Sequence, residues 1–259
     1  MKILLTNDDG IAAKGIWALA SVLSKEHDII IAAPMEQQSG MSHALSIHKQ
    51  IEFKRVRPSR LKELLDEHEL PLNGRIEAWE IGGTPTDCVK IYLEAINPTA
   101  KPDVVISGIN HGANLATDVV YSGTVGAALE GHLHEIAALA VSLDIASEIE
   151  FEDAAEAVAE FLIDIWNRDR NFFCNINFPK QYKNSRAEFV YTKLGRRDYI
   201  NAFKLLNEED KTYYRIGGQV YDIDRSEGTD IYAVECGYVS VTPLHDDITD
   251  YGKLESYCP

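Results

Sequence analysis

The sequence lacks the features that define several classes of protein. Its 259 residues include four cysteines, Cys88, Cys174, Cys236 and Cys258, and no two of them have a CxxC spacing. The usual pattern of a zinc site is therefore absent, and reduced thiols are expected. The chain has no basic leader and no apolar run of about 20 residues, which predicts neither a signal peptide nor a membrane span. We therefore expect a cytoplasmic protein that does not bind a membrane.

Positive charge is also scarce. The 25 Lys and Arg residues are outnumbered by 41 Asp and Glu residues, which gives a net charge of -16. Such a charge disfavours polyanionic partners, so nucleic acid is not expected as a partner. A small phosphorylated substrate is compatible with the chain only where a cation reverses the field locally. Without repeats or low-complexity segments, the length predicts one large domain or a domain with a sizeable appendage.

What the sequence does have is a pair of carboxylates directly after its first strand. The apolar run 3–5 predicts a buried, parallel strand, and Asp8, Asp9 and Gly10 follow it. In α/β sheets ligands bind at the carboxyl ends of strands, where both aspartates would lie. Neighbouring carboxylates repel each other, and a hard divalent cation removes that penalty. The alternative interpretation is a polar turn whose aspartate caps the next helix.

The next segments predict a βαβ unit. A helical period covers Ala13–Lys25, and Asp28–Pro34 is a second buried strand that the right-handed crossover rule makes parallel to the first. The loop after this strand, which contains Ser39 and Ser42, should face the Asp8 loop across the same sheet edge. Either serine can offer a hydroxyl to a metal or an anion, although isolated serines are more often turn residues.

Further elements follow along the chain. Thr86 or Asp87 suits the N-cap of the helix predicted for Cys88–Ile96. Five cations between Lys54 and Lys62 form a basic patch, which we interpret as a solvated face; the alternative is a surface that steers anionic substrates or pairs with a sister subunit. Strands are predicted for Gln50–Arg57, Ala137–Leu143 and Phe172–Phe178, and helices for Ser59–Leu70 and Glu152–Arg168.

A second dense region extends from residue 103 to 126. A β-branched strand over Val104–Ile106 is followed by a long loop rich in Gly, Asn, Ser, Thr and Asp. Asn110 and Asn114 lie in this predicted loop, and their side chains offer carbonyl oxygens to a metal and N–H₂ groups to a phosphate. Loops of that length are usually functional, so we assign this loop to a binding site.

The same region ends at the start of a helix. Ser122, Gly123 and Thr124 open a helix predicted for Val125–Leu133. A helix N-terminus with glycine beside it presents free N–H groups and a partial positive charge. We therefore expect these three residues to form a seat for an anion.

The last third of the chain has a different residue pattern. After Pro179, aromatic and β-branched segments at Glu188–Leu194, Thr212–Tyr221 and Tyr232–Val241 alternate with polar turns, which predicts hairpins. No terminal helix is evident before the chain ends. The predicted organisation is an α/β catalytic core over 1–180 and a β-rich extension over 181–259, used for oligomerisation or as a wall of the cleft.

Five dispersed motifs together resemble the SurE (survival protein E) family of metal-dependent 5'/3'-nucleotidases. They lie in the family's order at residues 6–10, 83–89, 107–110, 121–125 and 237–244. The resemblance implies a Rossmann-like, mostly parallel sheet flanked by helices, with a C-terminal β-hairpin extension. It also implies homodimers or homotetramers that exchange C-terminal segments. Two departures are Ala116, where the family usually has Gly, and a long span between Ser39 and Gly83.

The resemblance also implies a site. One divalent cation, Mg²⁺ or Mn²⁺, would be held by Asp8, Asp9, Ser39 and Asn110. The residues that would surround the phosphate are Asn114, Ser122, Gly123 and Thr124. This set agrees with the physical reading, because two carboxylates, a hydroxyl and an amide oxygen make an oxygen-only site that suits those ions.

The function expected from this site is hydrolysis of nucleoside 5'-monophosphates, with 3'-monophosphates as further substrates. The attacking group is a water or a carboxylate such as Asp9, and we favour water because both carboxylates are needed to hold the ion. His43 and His111 are the nearest candidates to protonate the leaving group, although each fits a bystander role better. The alternative from another class is a non-catalytic nucleotide-binding or metal-sensing module. A dinucleotide-dependent oxidoreductase is disfavoured because no GxGxxG follows the first strand.

Overall fold

The computed structural model describes residues 1–208 and 211–257, so Cys258 lies outside the described residues. The strands are β1 Lys2–Thr6, β2 Asp28–Pro34, β3 Phe53–Arg55, β4 Ile76–Ile81, β5 Val104–His111, β6 Ala137–Leu143, β7 Phe173–Phe178, β8 Phe189–Tyr191, β9 Arg196–Ile200, β10 Phe203–Glu208, β11 Lys211–Ile216, β12 Gln219–Asp224 and β13 Val239–Pro243. The α-helices are α1 Lys14–Leu23, α2 Pro58–Glu67, α3 Pro85–Ile91, α4 Gly123–Leu133, α5 Phe151–Arg168, α6 Asp230–Glu235 and α7 Tyr251–Tyr257.

The centre of the molecule is a nine-stranded sheet with the order β3-β4-β2-β1-β5-β6-β7-β13-β8. The strands β4, β2, β1, β5, β6 and β7 are mutually parallel, whereas β3 and β13 run antiparallel to β4 and β7. The chain builds outward from β1 in one direction and then returns to place β5 on its other side. This reversal of strand order lies between β1 and β5, which is where an α/β sheet opens a crevice for ligands.

Helices cover both faces of this sheet because its strands are apolar on both sides. On one face α1 packs against α5, and their apolar residues bury Trp17 and Phe178 in the largest hydrophobic cluster. On the other face α3 packs against α4. The α/β class and the mostly parallel sheet with C-terminal hairpins are as predicted. Within residues 1–208 and 211–257, no helix has the length and apolar character needed to cross a bilayer.

Two elements in the first half differ from the prediction. The helix predicted for Cys88–Ile96 begins earlier, at Pro85, and passes into a π-helical turn over Tyr92–Ile96. Its N-cap is Thr84 and neither Thr86 nor Asp87. The Thr84 hydroxyl accepts a hydrogen bond from the Asp87 N–H, and the Asp87 carboxylate accepts one from the Thr84 N–H. Asp87 is therefore the N3 residue of a capping box, in which Thr84 and Asp87 each accept a hydrogen bond from the backbone of the other.

The long loop predicted after Ile106 is shorter than expected. β5 continues to His111, so Asn110 lies on the strand, and a 3₁₀-helix over Ala116–Val120 fills much of the remaining connection. The pairing of β5 with β6 shifts register between Ser107 and Asn110. Gly108 has a φ of +144°, and a Cβ there would lie 2.4 Å from the Val141 carbonyl oxygen. Glycine at this position lets an irregular strand continue where its sequence resembles a loop.

The C-terminal third contains two further corrections. The strand predicted for Tyr232–Val241 was wrong at its start, because Asp230–Glu235 is the helix α6 and the strand is Val239–Pro243. Thr229 caps α6 through a hydrogen bond from the Tyr232 N–H to its hydroxyl, which gives this aromatic segment a helical start. A terminal helix, α7, is also present, which corrects the expectation that the chain ends without one, and none of its residues is buried.

Strands after residue 180 have two different settings. β8 and β13 extend the main sheet, while β10–β11 and β9–β12 form two separate antiparallel pairs. The hairpin character predicted for this third of the chain is therefore found in β9 to β12. The division of the chain at residue 180 stays a prediction.

The basic patch is largely neutralised within the chain. Lys54 Nζ lies 2.9 Å from a Glu80 oxygen, and Arg55 lies 3.5 Å from a Glu77 oxygen. Arg60 contacts both Glu63 and Glu67 on its own helix. Since three of the five cations have acidic partners, the patch presents little net positive charge, as expected of a solvated face.

Ala116 adopts a backbone conformation that glycine favours. Its φ is +54°, and its N–H donates to Asp230 Oδ2 at 2.7 Å, so the neighbouring chain holds it in this conformation. We predict that Ala116→Gly lowers the free energy of unfolding much less than the same substitution in a regular helix does. Relief of about 1–2 kcal/mol of left-handed strain offsets the roughly 0.4–1 kcal/mol of added chain entropy in the unfolded state and the loss of one buried methyl group, about 0.8 kcal/mol.

Chemical denaturation of the Ala116→Gly variant measures this effect. The matched control is Ala155→Gly in α5, a buried alanine within a regular helix, which we expect to lower the free energy of unfolding by about 1 kcal/mol. A loss of stability in Ala116→Gly equal to that of the control would show that residue 116 carries no strain.

Candidate functional site

The aspartate pair lies in a turn whose shape is fixed by hydrogen bonds of the side chain of the preceding residue, Asn7. Asn7 is fully buried, and its side chain both accepts from the Gly10 N–H and donates to the Gly10 carbonyl oxygen, at 3.2 and 2.9 Å. Gly10 has a φ of +92°, a region that residues with a Cβ rarely occupy. The turn 7–10 therefore has a fixed shape that presents Asp8 and Asp9 at the carboxyl end of β1.

Asp8 is a buried carboxylate held by α4. Its side chain belongs to a residue that is only 5% exposed, and Oδ1 accepts a hydrogen bond of 2.7 Å from the Thr124 hydroxyl. Burial raises the pKa of Asp8 to about 6; the Thr124 hydrogen bond opposes this rise and the nearby charge of Asp9 adds to it. No Lys or Arg forms an ion pair with Asp8 or Asp9 in the part of the chain that the structure describes. Such a site favours an added cation.

Asp9 is more accessible and connects three chain segments. One oxygen accepts from the His111 backbone N–H at 3.1 Å, which joins the β1 turn to the end of β5. The Gln37 side-chain N–H₂ group lies 3.4 Å from the other Asp9 oxygen and 3.0 Å from the Ser39 hydroxyl oxygen. Because a single donor reaches both oxygens, Asp9 and Ser39 converge on a common point.

Asn110 lies beside this convergence at the end of β5. Its Nδ2 donates to the Gly112 carbonyl oxygen at 2.6 Å. This hydrogen bond fixes the rotation of the side-chain amide, so that Oδ1 points away from the Gly112 carbonyl. The preceding residue, Ile109, is in close contact with α1, where a Cβ on Gly15 would lie 2.0 Å from the Ile109 carbonyl oxygen. A larger residue at 15 would push α1 away from the strand end that carries Asn110.

Asn114 is fastened over the ends of β6 and β7. Its side-chain N–H₂ donates to the Ser142 hydroxyl at 2.8 Å, and its backbone N–H donates to Asn177 Oδ1 at 2.7 Å. The Asn114 carbonyl oxygen accepts from the side chains of Asn175 and Asn177. These two asparagines are fully buried within an apolar sheet, so a polar floor supports the segment that follows β5.

The start of α4 closes the site on one side. The Ser122 hydroxyl accepts from the Val125 N–H at 3.1 Å as the N-cap, and the Thr124 hydroxyl is committed to Asp8. A Cβ on Gly123 would lie 3.1 Å from Asp8 Cβ, so the helix start contacts the aspartate directly. The Thr124 proton is used on Asp8, so an anion at this helix end would be recognised by the Ser122 O–H and by the backbone N–H groups of the first turn.

A buried carboxylate behind the site holds the segment that carries Ser39. Glu130 of α4 is 3% exposed and contacts His43 at 2.8 Å, Lys90 at 3.1 Å and His134 at 3.3 Å. We refer to Glu130 and these three partners as the Glu130 cluster. Although burial raises the pKa of Glu130, hydrogen bonds from His43 and Lys90 outweigh it and lower the pKa to about 2. The same segment is attached to the end of the 3₁₀-helix before α4 by Ser42, which forms hydrogen bonds with the backbone of Val120 and Tyr121.

Glu94, Glu130 and His134 also place ligand atoms within 4.8 Å of one another, which is a possible metal geometry. The Lys90 ammonium lies 2.7 Å from Glu94 Oε1 and 3.1 Å from Glu130 Oε1. Because this ammonium already occupies the position of a cation between the two carboxylates, we assign the group to structure.

The structure therefore brings the predicted residues toward one edge of the sheet. Asp8 contacts Thr124, Asp9 contacts the β5 end at residue 111, and Gln37 joins Asp9 to Ser39. The two candidate histidines have other contacts. The His43 ring is committed to Glu130, and the His111 ring packs edge-on against Phe151. Five residues of the site were not predicted from the sequence: Asn7, Gln37, Asn175, Asn177 and Glu130. Only Asn7 lies within one of the sequence motifs, the first.

We predict that Glu130→Gln lowers the free energy of unfolding at pH 7 by about 1.5–3 kcal/mol, because charge-assisted hydrogen bonds to His43 and Lys90 are lost. The folded-state pKa of Glu130 is about 2, below its ordinary value of 4.5. The contribution is therefore fully present above pH 4.5 and disappears as the pH falls toward 2.

Denaturant unfolding of wild type and variant between pH 7 and pH 3 measures the difference. Glu160→Gln, an exposed carboxylate on α5, is the matched control and should leave stability unchanged at every pH. A Glu130→Gln effect that is equally large at pH 3 and pH 7 would contradict the role of the ionised carboxylate.

Comparison with known proteins shows the family to which the chain belongs. The family model for Survival protein SurE matches residues 3–201. A protein named 5'-nucleotidase SurE from Pelotomaculum thermopropionicum is 42% identical over 98% of this chain and 93% of its own length. A second, from Caldanaerobacter subterraneus subsp. tengcongensis, is 40% identical over 98% and 94%. The crystal structure of the SurE protein from Aquifex aeolicus superposes with a TM-score of 0.77 at 32% identity and covers 99% of this chain and 98% of that one. The chain belongs to the SurE family.

Proposed function

We propose that the protein is a 5'-nucleotidase that hydrolyses nucleoside monophosphates with the help of one divalent cation. The observation that carries this proposal is the meeting of two carboxylates with a helix N-terminus at the strand-order reversal between β1 and β5. Carboxylates suit a cation and free backbone N–H groups suit an anion, so a phosphate and its counter-ion fit side by side. The names of the relatives supply the substrate class.

The proposed cation ligands are Asp8, Asp9, Ser39 and Asn110. The donor set is oxygen-only, and the raised pKa of Asp8, caused by burial, indicates a carboxylate that is poorly stabilised without a positive partner. Mg²⁺ and Mn²⁺ are the ions that prefer such ligands. When bound, the ion would neutralise charge on the phosphoryl group in the transition state.

The chain's own groups would then orient the phosphate. Thr124 keeps Asp8 in position through its hydroxyl, so the proposed contact of residues 122–124 with phosphate uses backbone N–H groups and the Ser122 O–H, whose oxygen accepts from Val125. Asn114 is proposed to line the phosphate from the other side, supported by Ser142 and Asn177. Water is the proposed attacking group, because Asp9 is engaged with the His111 N–H and with Gln37. Hydrolysis of 3'-monophosphates is part of the same proposal.

We predict that Asp8→Asn lowers the rate of phosphate release from AMP by at least about 10³-fold, because the buried ligand charge is lost. The unfolding free energy of the metal-free variant should not fall, since a carboxylate whose burial raises its pKa is replaced by a neutral group.

Phosphate release from a panel of nucleoside monophosphates, with EDTA and with single divalent ions, measures the effect. Asp164→Asn, an exposed aspartate of α5 paired with Arg168, is the matched control and should keep full activity. Full activity of Asp8→Asn would remove the metal-site proposal. Tight AMP binding without phosphate release at any metal ion would favour the non-catalytic binding module instead.

We also propose that the protein forms a homodimer or homotetramer through the extension beyond residue 180. The hairpins of this extension expose apolar side chains to an unusual degree; Tyr214 and Ile216 are 72% and 81% exposed. A surface of this kind is typical of contact between subunits. The segment 181–259 also supplies two strands to the main sheet, so its boundary at 180 is proposed as a division of role.

We predict that Ile216→Glu lowers the oligomeric state measured by sedimentation, because a charge in an apolar contact is left without a partner. The control is Ile163→Glu on α5, where the wild-type side chain is 45% exposed and lies on the main domain. An unchanged sedimentation coefficient in the Ile216→Glu variant would place the subunit contact elsewhere.

A further inference from the structure

A cavity of about 460 Å³ opens beside the proposed phosphate site. One of its walls is Leu115, the residue that follows Asn114 along the chain. Ile231 and Val234 of α6 also line it and pack against Leu115 in one apolar cluster. No residue assigned so far to the cation or the phosphate lines this cavity, so it is a separate space.

The cavity lies at the same edge of the sheet as the aspartates. Two residues of its lining follow parallel strands: Asp144 comes directly after β6, and Lys180 lies two residues after the end of β7. Asn114 is fastened over the ends of these two strands by Ser142 and Asn177. With neighbouring strands about 4.8 Å apart, the cavity is displaced by about 10 Å along the edge from the β1–β5 crevice. An extended nucleoside monophosphate has a comparable length.

The lining combines an apolar wall with charged residues of both signs. Leu115, Ile231 and Val234 are at most 8% exposed and pack together with Ala116 in one cluster, so the apolar wall is preformed. The charged residues of the lining are three cations, Lys180, Lys183 and Arg197, and two carboxylates, Asp144 and Glu235, in a chain whose net charge is -16. A cavity of this kind suits a flat, largely apolar ring system with polar edges, attached to an anion nearby.

Two other cavities in the described part of the chain are larger. One, of about 650 Å³, lies at the start of β4, at the opposite end of the parallel strands from the aspartates. The other measures about 920 Å³ and lies along α5, where Glu156, Glu160 and Asp164 line it. A nucleotide would meet like charge along that wall. The 460 Å³ cavity is therefore the better match to a nucleotide substrate.

We propose that this cavity binds the nucleoside part of the substrate, with the base against Leu115 and Val234 and with Lys180 and Lys183 at its polar edge. The inference rests on the proposed nucleotidase function and adds a place for the base to it. Substrates without a base would use only the cation and the helix end, whereas nucleotides gain binding energy from the cavity.

Cys236 gives direct chemical access to this space. It lines the cavity and is partly exposed, whereas Cys88 and Cys174 are 0% and 3% exposed. In a Cys258→Ser background, alkylation of Cys236 with N-ethylmaleimide should fill the cavity. We expect KM for AMP to rise at least about tenfold, with kcat/KM for glycerol 2-phosphate changed less than about twofold.

A second readout does not depend on hydrolysis. Saturating adenosine should slow the alkylation of Cys236, followed by mass spectrometry, at least about threefold, because the base covers the thiol. The Cys236→Ser variant, treated with the same reagent, is the control and should keep the KM for AMP of untreated protein.

The two hypotheses fail in different ways. If the unmodified protein hydrolyses neither AMP nor glycerol 2-phosphate, the nucleotidase function is contradicted. Protection of Cys236 by adenosine then still tests whether the cavity binds a nucleoside. An unchanged KM for AMP after complete alkylation, or equal losses for AMP and glycerol 2-phosphate, overturns the nucleoside assignment. Alkylation that proceeds at the same rate with and without adenosine overturns it as well.

Discussion

The reversal of strand order between β1 and β5 is the constraint on which the site depends. Strands on either side of this point continue in opposite directions across the sheet, so their following loops separate and leave a crevice. Asp8 and Asp9 follow one strand and Asn110 ends the other. The start of α4 then closes against Asp8 through Thr124. Without that reversal a connecting loop would cover the aspartates, and no helix end would lie beside them.

Close contacts between backbones keep this crevice narrow. Gly15 lets α1 approach the end of β5, Gly123 lets α4 approach Asp8, and Gly126 lets the segment around Ser42 approach α4. At Gly126 a Cβ would lie 2.2 Å from the Ser42 carbonyl oxygen. The polar anchors, including the Glu130 cluster and the floor of Asn175 and Asn177, hold the same segments by hydrogen bonds. Glycines set the distances, and the buried polar groups keep the segments from separating.

The sequence predicted much of the fold because its strongest signals are local. β2 and β6 have the predicted bounds, and the aspartate turn and the Ser122 cap lie where the motifs indicated. Features that depend on residues distant in the chain were not predicted. Glu130 lies in a helix that reads as apolar, and its three partners come from elements far apart in the chain or on the next turn. The strand β5 was predicted too short, because its glycine and asparagine residues are typical of a loop. Pairing with β6 keeps this part of the chain extended.

The donors at the start of α4 have a consequence for recognition there. An anion at this helix end meets peptide N–H groups and the Ser122 hydroxyl, whose hydrogen-bonding capacity is the same at every physiological proton concentration. The affinity of this wall therefore has no titration of its own. Any dependence of anion binding on acidity must arise from the ligand or from the carboxylates opposite it, so the two walls of one crevice respond differently to the same change in solution.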